Sequence, residues 1–115
     1  MKKFLLSFKY AIDGIITTIK EERNIKIHLL AVIVVIIMGN IYKISNIEWI
    51  ICILLFALVI SSELINTAIE NTIDLITDEK KELAQKAKDA AAGAVLINAI
   101  ISVIIAIFIW GPKIF

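Results

Sequence analysis

The sequence predicts an all-α integral membrane protein, in which an N-terminal amphipathic surface helix is followed by three membrane-spanning helices. Three observations point there. Of its 115 residues, 60% are apolar and mean hydropathy is +0.92, beyond what a small soluble domain carries. Apolar runs over 29–44, 47–65 and 90–110 are each close to the roughly 20 residues that cross the hydrocarbon. Between and before them, Lys and Arg are distributed unevenly. The expected organisation is one membrane-embedded domain over 1–115, with a surface helix at about 2–22 and spans at about 28–44, 47–75 and 88–111.

In the surface helix, Phe4, Leu5, Phe8, Ala11, Ile12, Ile15, Ile16 and Ile19 fall within one helical arc, and Lys2, Lys9, Asp13, Thr17 and Lys20 fall outside it. That pattern places the helix on the inner leaflet. Lys9 and Asp13 interrupt the apolar pattern, so a cleavable signal peptide is not expected. If the helix continues one more turn, Glu22 follows the apolar stripe. If it frays near Asn24, Glu22 turns to solvent among the charges of 20–26. Both readings stand at this level.

The first span is interrupted by Gly39 and Asn40, and a short turn around 39–46 leads to the second. His28, the single histidine, reads as an interfacial residue. Cys52, the single cysteine, excludes an intrachain disulfide and a Cys-type metal site and reads as packing. Lys2, Lys3, Lys9, Lys20, Arg23 and Lys26 precede the first span, and Lys80, Lys81, Lys86 and Lys88 lie between the second and third. Only Lys43 and Lys113 lie on the other side. The positive-inside rule therefore puts the N-terminus and the second loop in the cytoplasm and the C-terminus outside. A net charge of +1 gives no nucleic-acid footprint.

The second span runs on through Glu63, Asn66, Thr67, Glu70 and Asp74 with no Gly or Pro to stop it. Their spacing of i, i+3, i+4, i+7 and i+11 puts them on one face roughly 100° wide. A charge at mid-membrane costs about 2.5–3.5 kcal/mol on insertion scales, so this acidic stripe must face protein, a metal or a water-filled cleft. A polar helix-packing seam is the plainer explanation, but three carboxylates on one face repel each other unless a cation sits among them. Residues 78–89 read as a solvated cytoplasmic loop and helix start. Lys88 and Asp89 adjoin the small-residue run 90–94 at the depth of Glu70 and Asp74. In the third span Ala91, Val95, Asn98 and Ser102 form a packing seam, and Trp110, Gly111 and Pro112 mark the outer interface and the stop.

Carboxylates for Mg²⁺, a cation for phosphate and a base for a hydroxyl are the parts of a phosphoryl-transfer site, and all occur near the inner face. No GxxxxGK loop, protein-kinase signature or HExxH pair is present. The segments Glu63-Leu-Ile-Asn-Thr-Ala-Ile-Glu70-Asn-Thr-Ile-Asp74 and Ala87-Lys88-Asp89-Ala-Ala-Ala-Gly-Ala-Val resemble the signature of the prokaryotic diacylglycerol kinases. The run Glu22-Arg-Asn-Ile-Lys-Ile-His28 resembles the Gram-positive branch of undecaprenol kinases. The resemblance implies a bacterial membrane homotrimer with shared active sites, using Mg-ATP from the cytoplasm to phosphorylate a lipid alcohol, undecaprenol or alternatively diacylglycerol. It implies Glu63 as catalytic base, Glu22 and Glu70 as Mg²⁺ ligands, and Tyr10, Glu22, Asn66, Glu70, Lys88, Asp89 and Lys3 as nucleotide-binding residues. A small cation-coupled transporter would also explain buried acids, but gives Glu22, Lys88 and Asp89 no role.

Overall fold

A computed structural model describes residues 1–115. Four helices follow in order, α1 (Lys2–Glu21), α2 (Arg23–Ile41), α3 (Asn46–Ile76) and α4 (Glu82–Ile114). Three of them, α2, α3 and α4, are long and apolar enough to cross a membrane. At a rise of about 1.5 Å per residue, α3 with its 31 residues is about 46 Å long, so it overruns a hydrocarbon layer of about 30 Å. The polar end of the α3 stripe lies in that overrun. The longest contact is α3 along α4; α2 packs on α3, and α1 touches α2 and α3 sparsely.

The junction of α1 and α2 differs from both sequence readings. Glu22 neither continues the helix nor belongs to a frayed end reaching Asn24. It adopts an extended conformation (φ −100°, ψ 125°) between two helices, and its N–H donates to Thr18 O at 2.8 Å. Lys26 Nζ reaches back to Lys20 O at 3.0 Å, giving one carbonyl at the end of α1 a partner. The break lets α2 begin five residues before the expected span, with Ile25 fully buried. That burial is the tertiary gain that local periodicity does not encode.

Gly39 and Asn40 do not end α2 as a polar interruption would. Asn40 Nδ2 donates to Ile36 O at 2.9 Å, so its amide bonds its own helix. Gly39 is buried beneath the Trp49 ring, where an added Cβ would lie 2.5 Å from the indole. The helix closes at Ile41, three residues before the expected end. Ile44 N–H donates back to Gly39 O at 3.1 Å across Lys43, which takes a left-handed φ of 50°. Ser45 and Glu48 then form a reciprocal capping box that starts α3.

The C-terminal end of α4 also departs from expectation. Rather than stopping at 110–112, the helix runs to Ile114 with Pro112 inside its last turn. Proline removes one hydrogen bond there, but Lys113 Nζ donates to Ile109 O and to Glu48 Oε2, each at 3.0 Å, which binds the end of α4 to the start of α3. Trp110 is buried rather than set at the interface, packed with Ile44, Cys52 and Ile109. Cys52 is thus packing, as read from sequence. The α4 seam also forms: Ala91 is buried, and Asn98 Nδ2 donates to Leu58 O of α3 at 3.2 Å.

Gly39→Ala is expected to force the rigid Trp49 ring off α2 and to destabilise the protein by about 1–3 kcal/mol. A lowered thermal midpoint of the purified protein in detergent would register it; an unchanged midpoint would contradict the packing described.

Candidate functional site

The acidic face of α3 forms as its spacing requires. Glu63, Asn66 and Thr67 are buried, Glu70 is half-buried and Asp74 is exposed, so the stripe runs from the protein interior toward the solvated end of the helix. Glu63 is 2% exposed, the most enclosed charged side chain of the molecule. Asn66 Nδ2 donates to Glu70 Oε1 at 3.1 Å, one turn apart, and so orients that carboxylate. Three buried oxygens have no hydrogen-bond partner: Glu63 Oε2, Asn66 Oδ1 and Thr67 Oγ1. Leaving such a group unsatisfied costs about 1–3 kcal/mol each. A row of three acceptors on one face marks a place shaped for a donor or a cation from outside the chain.

Other elements bring further groups to that face. The extended Glu22 at the α1–α2 junction, His28 of α2 and Glu70 are the charged or titratable groups near enough to Glu63 to act on it electrostatically. His28 Nε2 lies 3.7 Å from Glu63 Oε2, beyond direct hydrogen bonding. From α4, Lys88 Nζ pairs with Asp74 Oδ1 at the exposed end of the stripe. Asp89, also from α4, accepts a bond from Gln85 Nε2 on its own helix at 2.8 Å. Lys3 and Tyr10 make no hydrogen bond or ion pair with the stripe. They sit on α1, which buries none of its residues, and Tyr10 is exposed.

No group of three or more His, Cys, Asp or Glu residues is gathered as a preformed metal cage. The residues do suit a magnesium ion that arrives with phosphates. Such an ion takes one or two carboxylates and keeps phosphate and water oxygens for the rest. Glu22 and Glu70 are two carboxylates from separate elements, and neither is paired with a Lys or Arg. The unpartnered oxygens of Glu63, Asn66 and Thr67 on the same face of α3 as Glu70 are hard donors of the same kind.

The sequence profile of the prokaryotic diacylglycerol kinases matches residues 9–110, which include every one of these groups except Lys3. The chain belongs to the prokaryotic diacylglycerol kinase family. As a member of that family it is a lipid kinase, a phosphotransferase with an alcohol acceptor, and cation-coupled transport is set aside. It is 49% identical over 113 residues to the undecaprenol kinase of Bacillus subtilis, across 98% of this chain and 92% of that protein. A diacylglycerol kinase of Synechocystis is 39% identical over 102 residues, covering 88% of this chain and 58% of the relative. One from Helicobacter pylori is 32% identical over 110 residues, covering 96% and 83%.

The sequence reading of this kinase undervalued His28. With the span expected from residue 28, the ring stood at its edge as an interfacial group. Because α2 starts at Arg23, His28 lies in its second turn and faces the acidic stripe. The available signal was the general one that an ionisable side chain leading into a membrane segment has a partner.

Thr67→Val removes an unpartnered buried hydroxyl and leaves a side chain of similar shape. Folding stability is expected to stay level or to rise, read as a thermal midpoint no lower than wild type. A clear drop would mean that Thr67 Oγ1 has a structural partner.

Proposed function

We propose that this kinase phosphorylates undecaprenol, transferring the γ-phosphoryl group of Mg-ATP to the lipid hydroxyl at the cytoplasmic end of α3, with Glu63 as general base. The observation that carries the reading is the fully enclosed Glu63 carboxylate, with one oxygen free of any partner, at membrane depth on a helix whose next turns hold Asn66 and Glu70. A carboxylate in that position meets a membrane-borne hydroxyl from one side and a cytoplasmic nucleotide from the other.

In this mechanism Glu63 accepts the hydroxyl proton as the lipid oxygen bonds to the γ-phosphorus. The bond from that phosphorus to the bridging oxygen breaks, and its electron pair leaves with ADP. Asn66 holds Glu70 in place through the 3.1 Å amide bond. Glu22 and Glu70 would hold the magnesium ion, which would supply charge neutralisation to the phosphates. Lys88 and Asp89 serve the nucleotide, Lys88 turning from Asp74 to phosphate. Lys3 and Tyr10 contact nucleotide from α1.

That last assignment bears on assembly. Lys3 and Tyr10 are exposed on α1 and neither bonds to the stripe of its own chain, which supports a homotrimer whose active sites are shared between subunits. The many large apolar side chains exposed on α2, α3 and α4 leave ample surface for both lipid and neighbouring copies. The uneven placement of Lys and Arg supports a cytoplasmic N-terminus and active site with the C-terminus outside. The exposed Phe4, Leu5, Phe8, Ile12, Ile15 and Ile16 support α1 lying on the inner leaflet of a bacterial cell membrane as an amphipathic helix.

Undecaprenol is favoured as acceptor by the match to the Bacillus subtilis protein along nearly all of both chains. Diacylglycerol is the alternative, the acceptor in the names of the other relatives compared. The deciding experiment supplies each alcohol with Mg-ATP to the purified protein and follows labelled phosphate into lipid. Higher kcat/KM for undecaprenol is the expected result, and a preference for diacylglycerol would reverse the acceptor. In parallel, Glu63→Gln is expected to lower turnover by about 100-fold or more while oligomer size and thermal midpoint hold. Normal turnover in that variant would remove Glu63 from the role of base.

A further inference from the structure

Between α2, α3 and α4 lies a cavity of about 190 Å³ whose walls are nearly all apolar. At one end of it stands His28; Ile109 and Trp110 line the other. Val59, on its α3 wall, is one helical turn before Glu63 on the same face. His28 therefore belongs to two places at once: it is the polar terminus of an apolar channel and the neighbour, at 3.7 Å, of the unpartnered Glu63 oxygen.

The 3.7 Å separation is too long for a direct hydrogen bond, yet it suits one oxygen atom placed beside both groups. A hydroxyl oxygen at about 2.8 Å from each would donate its proton to Glu63 Oε2 and accept from the Nε2–H tautomer of His28. Nothing in the chain provides the donor that the enclosed carboxylate oxygen lacks. An alcohol on an apolar chain provides it, and the cavity that would take such a chain ends at the His28 ring, 3.7 Å short of that oxygen.

We propose that His28 orients the acceptor hydroxyl, holding one lone pair of the lipid oxygen so that the other faces the γ-phosphorus while Glu63 takes the proton. The proposal rests on the lipid kinase reading given above. The transfer is unchanged in its balance: the proton goes to Glu63, the lipid oxygen gains a bond to phosphorus, and the bridging-oxygen electron pair departs with ADP. His28 contributes a hydrogen bond and no covalent step. Its effect should fall on the lipid substrate and spare the nucleotide.

The experiment measures kcat and KM for undecaprenol and for ATP in wild type, His28→Ala, His28→Gln and His28→Asn, alongside oligomer size and thermal midpoint. For His28→Ala we expect about a ten-fold loss of kcat/KM for the lipid with the KM for ATP unchanged. His28→Gln carries an amide N–H to about the reach of Nε2 and should recover most of the loss. The shorter His28→Asn should not, and both retain a polar side chain if the alanine variant fails to assemble. Wild-type lipid kinetics in His28→Ala would overturn the proposal, as would equal losses for lipid and ATP or a His28→Gln variant no better than His28→Asn. Wild-type protein that phosphorylates neither undecaprenol nor diacylglycerol would instead overturn the kinase reading and this inference with it.

Discussion

Everything at the end of the protein where α1 meets α2 answers to one constraint, the enclosure of the Glu63 carboxylate inside a helix that crosses a membrane. An ionisable group at that depth is unfavourable by about 2.5–3.5 kcal/mol even on lenient insertion scales, so it persists only where surrounding groups shield it from lipid. Shielding comes from three directions: the packed neighbours Asn66 and Thr67 on α3, the His28 ring from α2, and the bend at Glu22 that brings the start of α2 over the stripe. The bend itself is held by a fully buried Ile25, the apolar counterpart of the polar site beside it.

The two ends of the bundle are built differently. At the end where α2 turns into α3, Trp110, Cys52, Ile44 and Ile109 form a small core, the Ser45–Glu48 box caps α3, and Lys113 ties α4 to it. Those contacts join side chains of all three long helices. Along their whole length α2 and α4 do not come close through their backbones, and the space between them and α3 is the apolar cavity that runs from Trp110 and Ile109 to His28.

Much of the site was legible in the chain. The acidic face of α3 follows from 3.6 residues per turn, and its gradient of burial from Glu63 to Asp74 was foreseeable once the helix had no breaker. That Lys88 returns to the depth of Asp74 was legible, whereas their ion pair was not. The α4 seam through Ala91 and Asn98 was visible as a row of small and polar residues. The Ser45-Asn-Ile-Glu48 start of α3 is a capping pattern that could have been read and was not. Asn40, which looked like an interruption, bonds its own helix, an option open to any asparagine amide one turn after a carbonyl.

The sequence by itself determined the number of long apolar helices, the polar face of α3 and the family signature, because periodicity, hydropathy and residue spacing are local properties that survive without knowledge of neighbours. Only the tertiary structure decided where α1 stops and α2 begins, that α4 passes through Pro112, that Trp110 turns inward, and that His28 stands at Glu63. In each of these cases the deciding energy lies in a contact between elements distant in sequence or in the burial of a single side chain, and no window along the chain contains it.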